Sequence, residues 1–435
     1  MPTAGMPPAA AAVTPTAAAA AASGVSSAAA TVTPTAAAAG APTAEMATSA
    51  AAPAPTSGLS SAAAALAPVA GRRAEAAERA RDVDPAVLQE IVRAGFARHF
   101  APAAVGGTAG SFTELVEAVE VIAEECPASS WCASLIASIA RMAGAFLPEQ
   151  GQAEVWAAGP DAVLVGSVTP FGTAAPAPGG WLVSGRWPYI SGVSHSDWAL
   201  MCGLVETGTG SEARLFALPR SAYRVEDTWH SVGMAATGSN TLVLDEVFVP
   251  EHLSFDRADL FAGRTSDAWG GPAAACHRAP LQAVNGLMFA APAVGAALGM
   301  VRTFSAYFAE KIGNAPHLPG TTGVQGVRGS AEQALARSAG EVDAARLLLA
   351  RAARLADEGA VTGPLDATRN LRDCALAVDL SVTAVDRLFR QSGTRGQAVS
   401  GPMQRLWRDV TAISTHVALQ FEPAARGWVD QVLKA

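Results

Sequence analysis

The chain has 435 residues, half of them apolar, and a formal net charge of −8, enough for two or three domains around a large core. The acidic balance and the lack of any basic tract exclude nucleic acid as an expected partner. The five cysteines (Cys126, Cys132, Cys202, Cys276, Cys374) are scattered, with no CxxC and no metal-like pairing with histidine, so reduced structural thiols in a cytoplasm are expected and no metal.

Residues 1 to about 70 are Ala/Pro/Thr/Ser repeats with one charge, Glu45. Such a segment cannot offset its ordering entropy and is expected to be a disordered tail, with Met46 as a candidate later start. The first basic residue is Arg72, so no signal peptide is expected. An N-terminal helical domain follows, over about 71–160. Asp84-Pro85 starts a helix, with the carboxylate as cap and proline in the first turn. Val87, Leu88, Ile91 and Val92 make one face, and Gly95 ends it. A second amphipathic helix is expected from about Thr113 to Glu125, and a third near Ser129 carrying Trp131. From about 161 to 255 the pattern becomes β-branched runs between Gly/Pro/Asn turns, read as a small β-barrel or sandwich. Residues 256–280 read as a connecting loop. Helical segments near 281–313, 324–358, 366–391 and 401–420 then suggest an antiparallel bundle over 281–435. The most apolar run, Met288–Val301, is short and broken by Pro292, Gly295 and Gly299, so no membrane span is expected.

Within the β region, Trp187 to Trp198 (WPYISGVSHSDW) alternates aromatic rings with small hydroxyls, a glycine and a histidine. It reads either as a strand–turn–strand corner with core aromatics or as one wall of a site for a flat, polarisable cofactor.

Helical domain, β domain and four-helix bundle, in that order, resemble the acyl-CoA dehydrogenase fold. Five segments resemble one branch of it, the two-component, reduced-flavin-dependent (group D) monooxygenases: FARHFAPAAVGG (Phe96–Gly107), CPASSWCASL (Cys126–Leu135), WPYISG, the Thr237–Asn240 turn with VFVPEH (Val247–His252), and PMQRLWRDVTAISTH (Pro402–His416). The resemblance covers about residues 75–430. It implies a homotetramer that takes reduced FMN or FAD from a separate NAD(P)H:flavin reductase. With O2 as co-substrate, a flavin hydroperoxide would hydroxylate a small aromatic or polyketide-like substrate, as in secondary metabolism.

The resemblance also implies site residues. Ser191 is at the position of the hydroxyl that bonds the flavin's central-ring nitrogen; otherwise it is a turn serine. Trp187 and Tyr189 are expected to wall the ring, unless Tyr189 is core, and Trp131 to lie beside it. Ser167 and Thr169 meet flavin edge atoms or merely cap a strand. Arg302, and secondarily Arg328, are phosphate partners. Gln391 and Gly393 lie in a loop, QSGTRG, that is expected to close over the cofactor of a neighbouring subunit, where Arg395 departs from the family pattern. His416, on a predicted helix with Asp409 two turns earlier and matching the family's terminal histidine, is expected to be the base. His195, in a supporting place, lines the substrate side of the flavin or only pins the turn, and Glu422 orients His416, polarises substrate or caps a helix. Arg405 and Asp409 read as an intrahelical pair. His99, His230, His252, His277 and His317 read as structural. Two rivals are an acyl-CoA dehydrogenase with Glu422 as base and a non-catalytic flavin-fold scaffold.

Overall fold

The computed structural model describes residues 58–208, 210–266, 273–313, 323–361 and 363–434. The tail up to residue 57, Met46 and His317 lie outside them. The N-terminal helices are α1 (Gly58–Ala80), α2 (Pro85–Ala94), α3 (Phe112–Ala123), α4 (Pro127–Phe146) and α5 (Glu149–Val155). Residues 58–70, expected to be part of the tail, are therefore helical. In α1, Leu59, Ala63, Leu66 and Ala70 form a narrow stripe that is at most 6% exposed. Helical spacing of small residues lets even an alanine-rich segment pack closely. α2 starts as its sequence requires. Asp84 Oδ1 accepts from the amides of Ala86 (2.9 Å) and Val87 (3.2 Å), and Gly95 closes the helix at φ 102°.

Seven strands follow: β1 (Leu164–Ala177), β2 (Gly180–Ile190), β3 (Trp198–Thr207), β4 (Gly210–Pro219), β5 (Arg224–Glu226), β6 (Asn240–Pro250) and β7 (Ser254–Asp256). They form one mixed sheet in the order β5-β6-β2-β1-β3-β4-β7, with β1 and β3 parallel. Two register shifts carry strands β1 and β2 past Pro170 and Pro188. The β1–β3 register shifts between Ser167 and Gly172, and the β2–β6 register between Trp187 and Ile190. Bulges of this kind absorb residues that a regular ladder cannot hold.

The stretch expected to be a connecting loop contains α6 (Arg257–Ala262) and α7 (Ala275–Arg278). The bundle is α8 (Leu281–Gly313), α9 (Gly323–Asp357), α10 (Pro364–Gly396) and α11 (Pro402–Ser414), and α12 (Phe421–Val432) ends the fold. α8 is long and apolar enough to cross a membrane by length and composition, yet 78% of its most apolar window is buried inside the protein. The segment QSGTRG is not a separate loop. It is the last turn of α10, broken at Gly393, whose φ of 65° and ψ of −155° lie outside helical geometry.

α4 links the cores. Its first half, through Ala137, packs with α1, α3 and α8, while Ile139 to Phe146 packs on the sheet. Trp187 belongs to the sheet core. Its side chain is fully buried, its indole N–H donates to Cys202 O at 2.7 Å, and its ring lies over the paired glycines Gly172 and Gly185. A Cβ at Gly172 would lie 2.2 Å from Trp187 Cζ2. The expected cofactor wall is thus a core side chain, because two glycines on neighbouring strands leave a slot only its indole fills. Gly172→Ala should lower unfolding free energy by about 1–3 kcal/mol in denaturant titrations. An unchanged midpoint would show that the slot is not tight.

Candidate active site

Two turns meet beside α4. β2 ends at Ile190 and passes through Ser191 and Gly192 (φ 70°) into a 3-10 turn, Val193–His195. A second 3-10 turn, Ala235–Thr237, leads through Gly238 (φ 53°) into β6. Gly192 N–H donates to Thr237 O at 2.8 Å and joins them. Behind the joint runs a row of hydroxyls. Ser191 Oγ lies 2.8 Å from Ser239 Oγ, Ser239 Oγ 2.6 Å from Thr237 Oγ1, and Thr237 Oγ1 2.8 Å from Met234 O. Trp131 of α4 donates its indole N–H to Ser191 Oγ at 3.0 Å. So Ser191 is more than a turn serine bonded to its own backbone: an aromatic side chain 60 residues away holds it.

Three rings stand together at this place. Phe289 of α8 stacks on His416 with centroids 3.9 Å apart and planes 28° apart. Trp131 meets Phe289 at 5.2 Å and His416 edge-on at 5.7 Å. The two Trp131 contacts lie in the ordinary favourable aromatic range and the Phe289–His416 pair is a closer stack; together they make an apolar wall. Phe289 is a site residue that the sequence did not mark, since one apolar residue in a long apolar helix carries no signal.

His416 lies beyond the end of α11, not within it. Its Nδ1 accepts from Ala418 N–H at 3.2 Å, and burial pushes its pKa down to about 4. With Nδ1 used as an acceptor, the neutral ring carries its proton on Nε2. This geometry offers a hydrogen-bond donor near neutral pH rather than the expected base. Asp409 does not orient the ring. Its Oδ1 accepts from Met234 N–H at 2.6 Å, and burial pushes its pKa up to about 6 despite that bond. Arg405 acts on it only as a smaller electrostatic influence that lowers its pKa. Glu422 is in the first turn of α12, with an 87% exposed side chain that reaches Arg426 at 3.5 Å. An exposed carboxylate of this kind neither orients His416 nor serves as a buried dehydrogenase base.

His195 Nε2 faces Asp82 Oδ2 at 3.4 Å, a separation at which the attraction is chiefly electrostatic. The contact raises the His195 pKa, and although burial works against it, it holds Asp82 below the usual carboxylate value. The pair ties the α1–α2 junction to the turn after Ser191. Tyr189 is 71% exposed at φ 67°, inside the β2–β6 register break, and meets Trp229 edge-on at 6.1 Å. It is therefore not core. Ser167 Oγ accepts from Thr169 N–H at 3.2 Å, a local bond at the β1 bulge. Arg302 is held by Glu124 (2.9 Å) and Glu125 (2.7 Å), and Arg328 by Glu332 (2.7 Å). Arg302 would have to release two carboxylates to meet a phosphate. Gln391 and Gly393 lie in the broken last turn of α10, where Tyr307 Oη donates to Ser392 O at 2.9 Å.

The residues fit a reduced flavin on one observation in particular. Ser191 Oγ, held from behind by Trp131 and Ser239, is only partly covered and keeps a lone pair for a ring N–H. For His416, the folded chain binds the ring proton near pH 4 and the unfolded chain near 6.5. Burial of the neutral ring thus favours the fold above pH 6.5, and that contribution is lost as pH falls toward 4. Nitrogen-15 spectra of histidine-labelled protein should show His416 as the Nε2–H tautomer throughout pH 5.5–8. A titration centred near 6.5 would contradict the assignment.

Comparison with known proteins places this arrangement. The family described as "Acyl-CoA dehydrogenase, C-terminal domain" matches residues 287–421. The oxygenase component of an FADH(2)-dependent resorcinol hydroxylase from Rhizobium sp. (strain MTP-10005) is 32% identical over 80% of this chain and 87% of its own length. The crystal structure of 3-HSA hydroxylase from Rhodococcus sp. RHA1 superposes with a TM-score of 0.81 at 27% identity, over 87% of this chain and 97% of that one. XiaF from Streptomyces sp., solved with FADH2 and glycerol, gives 0.78 at 28% identity, over 87% and 95%. The chain belongs to the two-component, reduced-flavin-dependent monooxygenases that share the acyl-CoA dehydrogenase fold.

Proposed function

We propose that this protein is the oxygenase component of an aromatic hydroxylase that uses FADH2, delivered by a separate reductase, and O2 to place a hydroxyl on a phenol. The observation that carries the reading is the Ser191 hydroxyl fixed by Trp131 beside the apolar Trp131–Phe289–His416 wall. FAD is preferred over FMN because the resorcinol hydroxylase relative is FADH(2)-dependent and XiaF was solved with FADH2. Reduced flavin supplies the two electrons that activate dioxygen; one oxygen atom enters the ring and the other leaves as water.

The chain's own residues do the rest. Ser191 would accept a hydrogen bond from the central ring of the flavin. Trp131 and Phe289 exclude water and offer flat faces to a planar substrate. His416, neutral and protonated on Nε2, would donate a hydrogen bond into the pocket and orient an oxygen of the substrate. A phenolic substrate suits one donor set in an aromatic slot, and an aromatic polyketide with a free phenol belongs to the same class. Glu422 takes no part, and with its carboxylate in solvent the dehydrogenase alternative loses its base.

Incubation with a flavin reductase, NADH, FAD and resorcinol-type phenols should give a product heavier by one oxygen, labelled from 18O2. Flavin oxidation with no labelled product from any phenol would sink the reading.

The last segment of the chain also supports a homotetramer. Val417 is 79% exposed, Phe421 39%, Val429 43% and Leu433 81%, a run of apolar surface along the turn before α12 and α12 itself. Sedimentation velocity should give a single species near four times 44.0 kDa. A monomer at micromolar concentration would refute it.

A further inference from the structure

Counting protons along the hydroxyl row behind Ser191 fixes the direction of each bond. Met234 O can only accept, so the 2.8 Å contact from Thr237 Oγ1 uses Thr237's single hydroxyl proton. The 2.6 Å contact between Thr237 Oγ1 and Ser239 Oγ then needs the proton of Ser239. The 2.8 Å contact between Ser239 Oγ and Ser191 Oγ in turn needs the proton of Ser191. Ser191 also accepts the indole N–H of Trp131 at 3.0 Å. Its hydroxyl is left with one lone pair and no proton to give.

We propose that Thr237 and Ser239 are positioning residues that lock Ser191 as a hydrogen-bond acceptor, so that the site discriminates between the two redox states of its flavin. The inference rests on the reading above that Ser191 faces the flavin's central-ring nitrogen, N5. In reduced flavin N5 carries a hydrogen and can donate to the open lone pair. In oxidised flavin N5 is itself an acceptor, and two acceptors then face each other with no proton between them. The sense of the row is set at its far end, by a carbonyl that cannot donate. Such a device lets the oxygenase take the reduced flavin and release the oxidised one.

The row can be cut without orphaning that carbonyl. Met234 O also accepts from Thr237 N–H at 3.1 Å and from Trp229 Nε1–H at 3.0 Å. Thr237→Val preserves shape and removes the hydroxyl. The proton of Ser239 is then free to turn toward Ser191, and the proton of Ser191 toward the flavin. Ser239→Ala frees the Ser191 proton directly, whereas Thr237→Ser keeps the row intact.

The test is equilibrium binding of FAD and, anaerobically, of FADH2 to the full chain and these variants, with the reduction potential of the bound flavin as an independent readout. In Thr237→Val and Ser239→Ala the preference for FADH2 over FAD should fall about tenfold, by the loss of roughly one hydrogen bond of discrimination. For a two-electron couple that lowers the bound potential by about 30 mV. Thr237→Ser should keep the wild-type ratio. Unchanged ratios in both cutting variants, with Ser191→Ala still altering flavin affinity, would overturn the proton-direction argument alone. If Ser191→Ala alters neither affinity, the placement of Ser191 against the flavin fails, and the redox discrimination fails with it.

Discussion

The amide of Gly192 donates to the carbonyl of Thr237, and the geometry of the site follows from that bond. It fastens a turn at the end of β2 to a turn at the start of β6, two segments that approach only because their strands pair. Once they are joined, Ser191 and Ser239 come within hydrogen-bond reach and the indole of Trp131 closes on the outer hydroxyl. The joint needs the left-handed backbone of Gly192 and Gly238, at φ 70° and 53°. A side chain at Gly238 would also strike Asp82, the partner of His195. The hydroxyls are therefore held by backbone conformations that other residues adopt only with strain.

The helices supply the apolar half of the pocket by a different logic. α4 is buried along most of its length, so Trp131 has little freedom to move. Phe289 comes from α8, and His416 from the turn just past α11. Stacking on Phe289 and the bond to the Ala418 amide fix the imidazole in plane and in tautomer. Two helices, the turn past α11 and two strand turns thus converge on one place, which is why no single segment of the sequence contains the site.

Local features were legible in the sequence. The Asp84 cap, the Pro85 start and the Gly95 stop are decided by neighbouring residues, and α2 has those limits. The order of helices, strands and bundle could be read from periodicity, and the family from short motifs. What failed was decided at long range. Trp187 looked like a cofactor wall because Gly172, which opens its slot, lies on another strand. The end of α11 before His416 and the solvent position of Glu422 depend on how the chain turns into α12. Thr237 and Ser239 were visible as a turn motif, but their link to Ser191 exists only through the sheet.

Asp409 shows how far these parts depend on one another. It is 4% exposed on α11, yet its carboxylate accepts the amide of Met234, the residue whose carbonyl ends the hydroxyl row. The helical bundle and the strand-turn region are therefore not interchangeable modules. A chimera joining the sheet of one relative to the bundle of another would have to inherit the Met234 turn and the α11 carboxylate from the same parent. Otherwise a buried charge would lose its donor, and the turn its brace, in a single exchange.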